Sequence, residues 1–192
     1  TAFRLLPGNN VLGGAPDNVI GSGVLDATIS GGTGNRVESG AALATIGGGI
    51  DNRIDNGAMS ATIAGGDCSR IGSGSSYAAI AGGNDNDIGT NAIAAFVGGG
   101  EENSVKDQAT YAVVVGGERN TIQSNSQYAV IAGGRHNLIA TNAAKATIAG
   151  GAENRIAPGA EGAFIGGGSN NYIETNAWFG TVPGGRLNMV AG

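Results

Sequence analysis

Cysteine, histidine, aromatic residues and charge are all scarce in this chain of 192 residues, and each scarcity removes a class of protein. The single cysteine, Cys68, can close no internal disulfide and cannot anchor a zinc cluster. The lone histidine, His136, falls in a turn beside Arg135, without the partners that acid–base catalysis requires. Lys+Arg number 10 against 15 Asp+Glu, a net charge of -5, which is the reverse of a nucleic-acid-binding footprint. No apolar run approaches the roughly 18 residues of a membrane span, so this segment is expected to make no membrane contact. The opening TAFRLLPGNN lacks the basic start and apolar core of a secretory signal. Charged residues reach only 13% while hydrophobic ones reach 41%, which argues against disorder.

What is abundant is glycine, with 38 residues, about three times the usual share of roughly 7%. There is no Gly-X-Y period, so a collagen helix is excluded. Instead the alanines Ala27, Ala44, Ala61, Ala78, Ala95, Ala112, Ala129, Ala146 and Ala163 stand 17 apart, and Gly180 continues the series. With that position as slot one, slots five and six are Gly-Gly in every unit from Gly31-Gly32 to Gly184-Gly185. Slot three (Ile29 to Val182) and slot eleven (Val37 to Val190) are always Ile or Val.

Slots one to four and nine to twelve read as two short strands per unit, separated by glycine-rich turns. A helical repeat is excluded, because each glycine would cost about 1 kcal/mol relative to alanine. The expected fold is therefore all-β, a parallel β-solenoid (β-roll) of about eleven 17-residue coils. At about 4.8 Å per coil it forms a rod about 50 Å long. One domain spans 1–192, with a partial coil at 1–9 that puts Phe3 on slot eleven, ten coils at 10–179 and a partial coil at 180–192. Both ends fall mid-unit, so the segment is expected to belong to a longer chain.

Slot fourteen is Gly, Asn or Gln, as at Gly40, Asn91 and Gln108, the choice expected at a left-handed corner. Slot nine carries Asn35, Asn52, Asn86, Asn103, Asn120, Asn137, Asn154 and Asn171, interrupted only by Ser69. Stacked amides of this kind form a structural ladder, each bonding to the next coil and to the turn backbone.

The two strands differ in their outer faces. Slots ten and twelve carry charge, including Arg36, Arg53 and Arg70 beside Glu38 and Asp55, and so face water. Slots one to four carry no charge from Ala27 to Pro183, so this strand is expected to be buried on both faces, one filling the coil and the other meeting a partner. With only slots one, three and eleven inward the core is thin, which also calls for a closed cyclic assembly. The sequence does not itself set the number of chains.

Repeats such as Ala44-Thr-Ile-Gly-Gly-Gly49 and Thr181-Val-Pro-Gly-Gly185 resemble the YadA-like head domains of trimeric autotransporter adhesins, which are left-handed parallel β-rolls. The likeness covers essentially the whole chain, although that family's coils are shorter. It implies a parallel homotrimer on a cell or virion surface, outside the cell, binding matrix protein, glycan or other cells, without enzymatic activity, cofactor or nucleic acid. A trimeric fibre spacer is the alternative.

The candidate ligand surface is Arg36, Arg53, Arg70 and Trp178, for which the competing readings are a solvated charge ladder and, at Trp178-Phe179, core or subunit packing. The turn carboxylates, among them Asp51, Asp85, Asp87, Glu101 and Glu102, single out no glycosidase pair. Gly82-Gly-Asn-Asp-Asn-Asp-Ile88 has some likeness to a calcium-binding glycine–aspartate repeat but occurs once and lacks its nine-residue period, so no metal site is expected.

Overall fold

Each 17-residue unit closes one turn of a parallel β-solenoid of about eleven turns, with two strands per turn, in a computed structural model that describes residues 3–192. The strands stack into two sheets, of twelve and eleven strands, one from each half of the coil. Every coil-to-coil pairing holds the register of the repeat, for example Ile80 on Val97 in the first sheet and Ile88 on Val105 in the second. Slot-seven residues add a third, minimal ladder of single bridges running from Thr33 to Arg186.

The core is wider than slots one, three and eleven. Slot fifteen also points inward, and Ala41, Ala58, Ala92, Ala109, Ala143 and Ala160 are fully buried there. Where this slot is serine the hydroxyl is satisfied: Ser75 donates to Gly89 O at 2.6 Å and accepts from the Ala92 N–H at 3.0 Å. The coil therefore fills itself with four small or β-branched side chains, a shape that only a tight backbone can enclose.

Left-handed corner residues supply that tightness. In the coil that begins at Ala95 they are Gly100 (φ 89°), Glu102 (φ 53°), Gln108 (φ 60°) and Tyr111 (φ 58°), in slots six, eight, fourteen and seventeen, and Gly99 in slot five is also at positive φ, 141°. Strand N–H groups point forward, as Phe96 does to Ala112 O at 2.9 Å, whereas the left-handed corners point back, as Glu102 does to Asn84 O at 3.0 Å. Each coil is thus tied to both neighbours, and the corner strain is offset by these bonds. Slot six must be glycine for a second reason: a Cβ on Gly117 would lie 2.1 Å from Gly134 O.

The N-terminal segment departs from the repeat. Phe3, expected inward at slot eleven, is exposed, and β1 (Arg4–Leu6) runs antiparallel to β2 (Asn10–Leu12) instead of continuing a coil. β1 covers the edge of the first sheet, which would otherwise present unpaired backbone groups. Asn10 makes the turn possible: it is buried in slot one, donates to Pro7 O and Val24 O at 2.7 Å each, and accepts the Ala27 N–H at 2.8 Å. β3 (Val19–Ile20) then opens the second sheet in register with Val37. Slot-four N–H groups bond the next coil as far as Gly166 N–H to Val182 O, 2.9 Å, and slot four of the following coil is Pro183, which carries no N–H.

Candidate functional surfaces

The slot-nine amides form an internal column with one interruption, at Ser69. Asn103 donates to Gly99 O (2.9 Å) in its own turn and to Gly117 O (2.8 Å) in the next, while its Oδ1 accepts the Asn120 N–H (3.1 Å). The same arrangement joins Asn35 to Asn52, and Asn120 through Asn137, Asn154 and Asn171 to Asn188. From Asn35 to Asn171 these residues are buried, so they hold the corners and are closed to a ligand, whereas Asn188 in the last coil is exposed. At Ser69 the column breaks: its hydroxyl reaches only Asp67 O, at 3.3 Å, and the Gly83 carbonyl keeps its backbone donor, the Asp67 N–H, without an amide. Replacing Ser69 with Asn restores the missing amide and is expected to stabilise the chain by about 1–2 kcal/mol, which a rise in urea midpoint would register.

The second sheet's outer face carries the arginine column, and its cations are not free. Arg36 pairs with Glu38; Arg53 reaches Glu38 at 3.3 Å and Asp55 at 2.5 Å; Arg70 reaches Asp55 at 2.6 Å and Asp87 at 3.3 Å. Burial works against the charge on Arg70, but Asp55 and Asp87 outweigh it and raise its pKa. At the slot-eight corner beside this face Arg119 grips Glu102 with two bonds, 2.7 and 2.9 Å, and holds that carboxyl below its ordinary pKa. Exposed pairs of this type add little stability, about 0–1 kcal/mol each. Their effect is to neutralise the column coil by coil.

Trp178 lies elsewhere, on a corner about six coils from Arg70, roughly 29 Å along the axis at the usual strand spacing. It is exposed, as is Phe179, whose ring rests over Gly162. The arginines and the tryptophan therefore form no common surface. Trp178 does have company along its own edge, in slots sixteen and seventeen. Leu43, Met59, Tyr77, Tyr111 and Tyr128 are exposed there, and the rings of Tyr111 and Tyr128 stack at 5.1 Å with a 4° interplanar angle. The signal for this ridge, aromatics recurring at slot seventeen, was present in the repeat but obscured by the turn residues around it.

The first sheet's outer face, expected to meet a partner, is half-exposed in the single chain. Slots two and four present mostly Thr, Val, Ala and Gly, and the two phenylalanines each reach toward the glycine two residues on, Phe96 toward Gly98 and Phe164 toward Gly166. The face is uncharged in slots two and four and bordered by the tyrosine ridge. Among the described residues no group of three or more His, Cys, Asp or Glu side chains is placed to hold a metal ion. By fold and surface this is a two-faced repeat rod, one sheet charged and the other uncharged. No known protein-family model matches the chain, and a comparison with characterised proteins returns no relative.

Proposed function

We propose that the chain is the head or shaft of a trimeric extracellular adhesin, akin to the YadA-like heads, on a cell or virion surface. In this reading three copies run parallel with their uncharged sheets toward a common axis and their charged sheets outward. One observation carries it: slots two and four make a continuous uncharged strip along the rod, and an exposed apolar strip of that length is unusual on a monomer. Phe96 and Phe164 leave apolar surface exposed on this strip, which supports its burial against a second copy. The chain is expected to act by contact, with repeated weak contacts summed over three copies, and not as an enzyme.

Light scattering at micromolar concentration tests the assembly. A mass three times the 18.7 kDa chain is expected, and Val113→Glu on the strip should release folded monomers. A wild-type chain that stays monomeric overturns the trimer. Binding to immobilised matrix proteins and glycans tests adhesion, with Arg36, Arg53 and Arg70 all replaced by Ser and with Trp178→Ala as comparisons.

The neutralised arginine column favours a second reading, a stiff spacer in a trimeric fibre, because the outer face offers no free cationic stripe there. A folded trimer that binds nothing on a broad panel would establish the spacer over the adhesin.

A further inference from the structure

We propose that the apolar ridge of slots sixteen and seventeen on one chain packs against the slot-five glycines of the next copy. The proposal deepens the trimer reading, on which it rests, by naming the contact that closes the ring.

The ridge is long and uncharged. From Leu43 to Tyr128 slots sixteen and seventeen hold no charged residue, and Leu43, Met59, Tyr77, Ile93, Tyr111 and Tyr128 are all exposed. An aromatic side chain buries about 150–250 Å², so these six large side chains, each about half exposed, offer roughly 500 Å² of apolar contact. Each partner of a stable interface buries about 800 Å². The strip of slots two and four beside the ridge adds to the area.

The opposite edge of the same strand is bare. Slot five is glycine in every coil from Gly31 to Gly184, and the single chain explains only part of that. Six of these glycines have φ between 139° and 156°, a conformation that disfavours a side chain. Gly31, Gly65, Gly116 and Gly184 are not at positive φ, and a Cβ on Gly31, Gly65 or Gly184 would meet no atom within 4 Å. On Gly116 it would touch only Gly99 O, at 3.7 Å, an ordinary contact. A backbone edge left flat where its own chain has room for side chains is suited to receive side chains from outside.

Symmetry joins the two edges. In a closed three-fold ring the contact is heterologous, so each chain meets its two neighbours through different surfaces. With slots two and four toward the axis, the ridge lies on one flank and slot five on the other, as Tyr111 and Gly116 stand on either side of Val113–Val114. Ridge on ridge would be a two-fold contact and give pairs. A cyclic ring has no shift along its axis, so each ridge residue is level with the glycine that follows the next strand. Tyr77 then meets Gly82 of the partner subunit, Tyr111 meets Gly116 of the partner subunit, and Tyr128 meets Gly133 of the partner subunit. The stacked rings of Tyr111 and Tyr128 enter as one block, with little side-chain freedom left to lose.

The test is disulfide trapping of the full chain in a Cys68→Ser background, with Tyr111→Cys and Gly116→Cys combined and oxidised glutathione as the oxidant. Within one chain the two sites lie about 16 Å apart at the usual strand rise, and a disulfide needs Cα atoms within about 7 Å. Covalent trimers on a non-reducing gel, absent from either single variant, are expected. Gly116→Leu should leave the circular dichroism unchanged and weaken the trimer about tenfold or more. A trimer by light scattering that does not cross-link, cross-linking by Tyr111→Cys alone, or an unchanged dissociation constant in Gly116→Leu would each overturn the seam and leave the trimer standing. Cross-linked rings that close at another number of chains would overturn the trimer and leave the seam in place. A chain that stays monomeric overturns both.

Discussion

Val114→Asp is expected to unfold the middle of the rod. Val114 is fully buried in slot three, stacked between Val97 and Ile131 in the first sheet. A carboxylate there has no cation within the coil and no route to water, and burying it costs several kcal/mol, about 4–6 by the usual penalty for one uncompensated ion. That is comparable with the whole stability of a marginal domain, about 5–15 kcal/mol. In a solenoid the damage also removes two nearest-neighbour interfaces, because each coil packs only on the coils before and after it. Arg53→Ala supplies the contrast: it removes an exposed side chain and leaves Asp55 still paired with Arg70, so the expected loss is under about 0.5 kcal/mol. Urea midpoints measured at one protein concentration check both, and equal losses would mean that the inward and outward faces have been exchanged.

Asn120→Ala should follow closely. The side chain donates to Gly116 O at 3.0 Å and Gly134 O at 2.8 Å, and its Oδ1 accepts the Asn137 N–H at 3.1 Å. Alanine leaves that N–H buried without a partner and removes a donor from two carbonyls, a loss of about 3–5 kcal/mol at about 1–3 kcal/mol for each orphaned group. The same change at Asn188 is an internal control. Asn188 is exposed in the last coil, water can replace its bonds, and a loss under about 1 kcal/mol is expected there. A ladder that served only as decoration would give small losses at both positions, and thermal melts of the two variants side by side distinguish the cases.

These variants test the parts of the molecule that one repeat unit already encodes. Glycine pairs every 17 residues forbid a helix, and an Ile or Val at slots three and eleven sets which side of each strand turns inward. Period and alternation together impose the register, since a slip of one residue would turn every Ile outward. The asparagine at slot nine and the Gly/Asn/Gln choice at slot fourteen mark two corners, because those residue types have a local backbone reason to be there.

Other features depend on neighbours that a single unit does not contain. Slot fifteen is alanine in most coils, and only closure of the turn around it distinguishes a core alanine from a loop alanine. The left-handed corners at Tyr77, Tyr111 and Tyr128 carry residues with no preference for that conformation, and they adopt it because their N–H groups bond the preceding coil. Phe3 matched the repeat frame by position, yet Asn10 and the open edge of the first sheet draw Arg4–Leu6 back antiparallel, since pairing an edge outweighs continuing a period.

The candidate surfaces divide in the same way. That Arg36, Arg53 and Arg70 form a column follows from their spacing, whereas their neutralisation depends on Glu38, Asp55 and Asp87 reaching across coils. The sequence alone determined the period, the inward faces and the amide column, because each is a property of one unit repeated. Tertiary structure alone decided the fourth core slot, the N-terminal cap and the pairing of the surface charges, because each arises between units, where stacking brings together residues that the repeat holds one coil apart.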